Sequence, residues 1–183
     1  DFEKREGLLF VGGFAHPPNA DAVLWFAREI YPKIREKLEV PFYIVGSKVT
    51  EEIQALEQPG NGIIVKGFVS EEELSELYRT CRIVVVPLRY GAGVKGKVIE
   101  ALYNGAPVVT TSIGAEGIAE AESVMYIKDA PEEFAEETVR LYQNPEALRE
   151  LSRKTQNYIR RYYSVDAAWS VVEEDFTKET VKR

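Results

Sequence analysis

The stretch 87-PLRYGAGVKGKVIEALYNGAPVVTT-111 leads from one short apolar run through a glycine-rich loop and an amphipathic segment into another, 107-PVVTT-111. Two buried strands joined by a loop and a helix form the repeating unit of a parallel sheet, because parallel strands need a crossover connection. The loop is also basic. Arg79, Arg82, Arg89, Lys95 and Lys97 lie between Leu77 and Ile99 with no acidic residue among them, although the formal net charge of the chain is -7. The expectation is a local anion site on an acidic protein.

Outward from that stretch, 7-GLLFVGG-13, 42-FYIVG-46, 62-GIIVKG-67, 83-IVVV-86 and 124-VMYI-127 read as further strands. Between them fall helical segments: 19-NADAVLWFAREIYPKIREKL-38, a short one near 49-VTEEIQAL-56, and one opening at Ser70, where Glu73 has capping-box spacing. A helix at about Val94–Asn104 ends at Gly105, and helices at Pro131–Gln143, Pro145–Tyr162 and Val165–Lys178 complete the chain. Short, wholly apolar strands alternating with helices predict an α/β fold, a Rossmann-like parallel sheet with helices on both faces. At 183 residues the chain suits a single domain, 1–183.

Composition narrows the function. Net acidity argues against nucleic acid, whose phosphate backbone needs a broad basic face. One histidine and one cysteine make no zinc cluster, and the longest apolar run, 83-IVVVPL-88, is too short for a membrane span. The lone Cys81 and the lack of a signal-like start fit a cytoplasmic protein.

In parallel sheets ligands bind beyond the carboxyl ends of the strands. The glycine turns Gly12-Gly13, Gly46, Gly67, Gly91-Ala92-Gly93 and 114-GAEG-117 fall there, and the basic cluster is expected on the same rim. Glycines let backbone amides approach a ligand, and a helix N-terminus near Val94 adds its positive dipole end. With Lys95 and Lys97 alongside, a phosphate or pyrophosphate is the expected ligand. Glu100, three residues from Lys97, shares its helix face and suits ribose hydroxyls. Phosphate plus ribose means a nucleotide. The alternatives are a surface ion pair for Lys97–Glu100 and a solvated Lys95.

The pattern G-x-G-x-K-x-K-x-x-E-A-x-x-x-G-x-P-V-V, with 43-YIVG-46, 66-KGFVSEEELSELYRTCRIVVVP-87 and 110-TTSIGAEGI-118 in order, resembles the donor-binding half of group 1 retaining glycosyltransferases of the GT-B fold. The resemblance covers roughly residues 7 to 165. It implies that Glu100 takes the ribose hydroxyls and Lys97 the diphosphate, the two residues given the catalytic role. It places the backbone of Gly67, Phe68 and Val69 at the base, and Gly93 and Val94 at the diphosphate and donor sugar. Gly12 and Gly13 would wall the cleft, with Arg89, Gly91 and Lys95 completing the donor site. Many relatives carry a second glutamate where this chain has Ala92, and an arginine and a lysine where 12-GGFAHPPNADA-22 has neither.

The resemblance further implies transfer of a hexosyl-type group from a nucleoside-diphosphate sugar with retention, without a metal and with no cofactor beyond that donor. It also implies a missing N-terminal acceptor domain, an inactive isolated domain, and peripheral membrane contact through the absent part. Weak self-association through 165-VDAAWSVVEEDF-176 is expected as well. The competing functions are a non-catalytic nucleotide-sugar-binding domain and an epimerase-like enzyme on the same fold.

Overall fold

The computed structural model describes residues 1–163. Six strands form one sheet in the order β3-β2-β1-β4-β5-β6, with every neighbouring pair parallel. These are β1 (Leu8–Val11), β2 (Phe42–Val45), β3 (Ile63–Gly67), β4 (Ile83–Val86), β5 (Val108–Thr110) and β6 (Tyr126–Ile127). The central strands are apolar on both faces, and Leu8, Leu9 and Phe10 are wholly inaccessible to solvent. Right-handed crossovers then put the helices on both sides.

Strand order reverses between β1 and β4, since β1 leads outward to β2 and β4 leads outward to β5. The loops that leave these two neighbours diverge and open a crevice beyond their carboxyl ends. That crevice is where the sequence places its glycines.

The helices are α1 (Pro17–Trp25), α2 (Tyr31–Arg35), α3 (Glu51–Gln54), α4 (Glu71–Thr80), α5 (Gly96–Tyr103), α6 (Pro131–Tyr142) and α7 (Pro145–Tyr162). Residues 19–38, expected as one helix, instead form α1 and α2 joined by a π-turn at Phe26–Ile30. Pro32 has no amide to offer the Arg28 carbonyl, and the Tyr31 amide bonds back to Phe26. The turn keeps Phe26 in the core, its ring centroid 4.7 Å from that of Phe42 and 5.8 Å from that of Phe134.

Ser70 caps α4 by accepting from the Glu73 amide at 3.1 Å, but only half of the expected box forms. The Glu73 carboxylate pairs with Lys66 at 2.8 Å. Cys81 ends α4, buried as expected, and burial pushes its thiol up to about 12, which leaves it unreactive. After α5, Gly105 donates to Leu102 and Ala106 to Ala101, the Schellman pattern its glycine suggests. The expected helix Val165–Lys178, with Trp169, Val172 and Phe176, lies outside the described residues.

Gly46 closes β2 against the loop after β1. A Cβ there would fall on the Gly12 carbonyl oxygen, and backbone on both sides cannot yield cheaply. Gly46→Ala should therefore cost about 2–3 kcal/mol, a drop of roughly 5–10 °C in Tm by circular dichroism. Gly96→Ala is the control, because a Cβ there meets nothing within 4 Å.

Candidate functional site

Lys97 lies in the first turn of α5, on the β4 side of the crevice, and its side chain crosses to the β1 side. There Nζ donates to Oδ1 of Asn19 in α1 and sits 5.2 Å from the centroid of the Phe10 ring. Asn19, only 6% exposed, passes the contact on by donating Nδ2 to the Gly13 carbonyl at 2.8 Å. Gly12 is required beneath it, since a Cβ would come within 2.7 Å of Nζ and 2.9 Å of Asn19 Cγ. Burial lowers the pKa of Lys97 to about 8, and the neighbouring charge of Lys95 adds to the effect. No carboxylate neutralises this ammonium among the described residues, so the surface pair with Glu100 does not form.

The other cations of the run are taken up elsewhere. Arg79 and Arg82 precede β4 and therefore lie at the opposite end of the sheet from the crevice. Arg79 pairs with Glu76, and the Arg82 guanidinium stacks 4.8 Å from the centroid of Tyr142. The expectation of one basic cluster on one rim is corrected accordingly: four residues of strand separate the two groups by about 13 Å. Arg89 is on the rim but makes a two-pronged bond to Asp21 at 2.5 and 2.9 Å and packs 5.3 Å from the centroid of Trp25. Hydrogen bonding to Asp21 raises its pKa further.

Lys95 is not the solvated residue of the alternative reading. It donates to the carbonyls of Gly91 at 3.3 Å and Gly93 at 2.5 Å, and lies 3.9 Å from Glu116. It is also the N-cap of α5, which starts at Gly96 instead of Val94 and carries no side-chain cap. The amides of Gly96 and Lys97 have no partner among the described residues, whereas that of Val98 bonds back to the Lys95 carbonyl at 3.0 Å, and Val94, half exposed, belongs to the loop.

Glu100 is exposed one turn beyond Lys97. Beside it the Tyr78 hydroxyl is buried with no hydrogen-bond partner among the described residues, and burial together with the Glu100 carboxylate raises its pKa. On the far side, β3 ends at Gly67, whose carbonyl accepts from the Gly46 amide at 2.9 Å. Phe68 then projects outward, 82% exposed, while Val69 turns back onto the core. An aromatic after a strand is usually core; this one is not.

Sequence reasoning passed over two residues that tie the crevice together. Asn19 was legible only as a polar residue behind Pro17-Pro18, and Glu116 only as part of a glycine turn. No group of three or more His, Cys, Asp or Glu suited to a metal ion occurs among the described residues. None of their helices is long and apolar enough to cross a membrane.

Residues 5–144 match the profile of the family described as glycosyl transferases group 1. A Klebsiella pneumoniae protein described as an uncharacterized 44.6 kDa protein in the cps region is 28% identical over 173 residues, 90% of this chain and 44% of that one. Among solved structures, S. aureus TarM with fondaparinux, alpha-GlcNAc-glycerol and UDP superposes with a TM-score of 0.75 at 19% identity, over 94% of this chain and 35% of its own. Anabaena HepE with UDP and glucose gives 0.73 at 14% identity, over 96% and 49%. The chain thus spans less than half the length of each of these relatives. At these identities the structures establish the fold.

The titration of Lys97 has a readable consequence. The amine loses its proton near pH 8 when the site is empty, and a bound anion raises that pKa. Pyrophosphate affinity should be full below pH 8 and fall, approaching tenfold per pH unit, as pH rises beyond it. Calorimetry from pH 7 to 9.5 tests this, and Lys97→Met should bind weakly with no such slope.

Proposed function

Because this chain belongs to the group 1 glycosyl transferases, we propose that it binds a nucleoside-diphosphate sugar in the crevice between β1 and β4 and presents it for transfer. The observation that carries this reading is Lys97, a partly buried ammonium without a carboxylate partner among the described residues, beside the uncapped Gly96 and Lys97 amides of α5 and one turn from Glu100. The diphosphate would bind at Lys97 and the α5 amides, and the ribose hydroxyls would meet Glu100. The base would rest along Gly67, Phe68 and Val69. TarM and HepE, which share this fold, are described in complex with UDP, and that supports a nucleotide as the ligand.

In this reading the chain acts on the leaving group. As the bond from sugar to phosphate breaks, negative charge grows on the diphosphate, and Lys97 with the α5 amides stabilises it where it forms. That role asks for no metal. The reaction retains configuration at the transferred carbon, and the acceptor is held by a second domain that closes over the crevice. The compartment is the cytoplasm, where nucleotide sugars are at hand, and membrane contact belongs to the second domain.

Glu100→Gln should weaken binding of the cognate nucleoside diphosphate by ~1–3 kcal/mol, through loss of a charge-assisted hydrogen bond to ribose. Unchanged affinity by calorimetry would remove Glu100 from the site. A second expectation concerns turnover. The chain of 183 residues should bind nucleotide yet transfer no sugar, since proximity worth up to ~7–11 kcal/mol is missing without an acceptor site. Chromatography of products after incubation with donor and acceptor decides it, with the two-domain parent as comparison.

A further inference from the structure

The turn 114-GAEG-117 follows β5 and is pressed against the loop after β4. A Cβ on Gly117 would come within 2.7 Å of Val94 Cγ2, so only glycine lets the two loops meet this closely. The approach carries Glu116 across. Its Oε1 accepts from the Gly93 amide at 3.3 Å, and its Oε2 stands 3.9 Å from Lys95 Nζ.

Donors and acceptors can then be counted at the middle of the loop. An ammonium has three protons to give. Lys95 gives two of them, to the Gly91 and Gly93 carbonyls, its ammonium stands across from the Glu116 carboxylate at an ion-pair distance of 3.9 Å, and its side chain is only 11% exposed. The Gly93 amide is engaged as well. The Lys95 ammonium and the Gly93 amide are thus turned inward to the loop and to Glu116, and the charges of Lys95 and Glu116 offset each other. Acceptors remain. A carboxylate offers about four lone-pair directions, one of which accepts a hydrogen bond here, and the Glu116 side chain is 47% exposed. A ligand group that lands beside Glu116 meets open carboxylate acceptors, which favour hydroxyl protons and disfavour negative charge.

Resting on the nucleotide-sugar reading above, the geometry points to Glu116 as the residue that accepts the hydroxyls of the donor's sugar, and to a neutral hexose as that sugar. The crevice is divided by charge. Lys97 and the α5 amides draw the diphosphate, Glu100 the ribose, and Glu116 the transferred ring. Lys95 holds the Glu116 carboxylate ionised and aimed, so it acts as a positioning residue and does not contact phosphate. Sugars that carry a carboxylate are repelled at this position.

The test is calorimetry on the 183-residue chain and its Glu116→Gln variant. The probes are UDP, UDP-glucose and UDP-glucuronate, with GDP and GDP-mannose run in parallel. For the base that binds, Glu116→Gln should leave the free diphosphate within about twofold and weaken its neutral hexose ester roughly tenfold. With UDP, the wild-type chain should also prefer the glucose ester to the glucuronate, and the variant should lose that preference. Equal weakening of diphosphate and ester would overturn the inference, since Glu116 would then only shape the loop. Tightening of both would overturn it too, because Glu116 would be occupying the phosphate position. If the wild-type chain binds none of the probes, the nucleotide reading itself falls. Glu116→Asp, which keeps the charge but withdraws the oxygens, replaces Glu116→Gln should that variant fail to fold.

Discussion

A partly buried ammonium with no carboxylate partner among the described residues is the constraint around which this site is organised. Taking Lys97 out of water is costly, and the protein offsets the cost with the Asn19 carbonyl oxygen and the face of Phe10. Both partners come from the β1 side of the crevice, while Lys97 belongs to the β4 side. The contact therefore spans the point where strand order reverses, and a Cβ at Gly12 would have to displace the Lys97 ammonium and the Asn19 amide. The crevice therefore holds a partly desolvated charge that is fixed in place and lacks a carboxylate partner among the described residues.

The two other cations of the β4–α5 loop are paired. Arg89 is bound to Asp21, and Lys95 to the loop carbonyls and Glu116. These pairs shape the loops while adding little net field, as partly exposed ion pairs do. On the reading proposed above, the same accounting lets a chain with a net charge of -7 offer an anion site. It needs one uncompensated cation in a low-dielectric position, and a broad basic surface would add nothing.

Much of the fold was legible. Runs such as 83-IVVV-86 were too apolar and too short for anything but buried parallel strands, and the glycines fell at strand ends as punctuation should. Local misreadings came from competition for the same group. Glu73 had a helix amide within reach and took Lys66 instead, and Pro32 withheld a single amide and turned a regular helix into one with a π-turn. The site was legible in part. Lys97, Glu100 and the glycines of both loops were marked by their spacing, and their neighbours in space were not.

Residue order determined which chemistry was available: an apolar parallel sheet, flexible loops at its carboxyl ends, lysines and a glutamate on one helix. It could not decide which charges would be spent. Arg79 and Lys97 belong to one basic run, yet a strand carries the chain from one end of the sheet to the other between them. Asn19 and Lys97 are 78 residues apart and bonded, and Glu116 reaches Gly93 across 23. Pairings of this kind depend on strand order and on where a missing Cβ lets two loops touch. Only the tertiary structure sets those, because the free energy of a charge depends on what surrounds it in space and not along the chain.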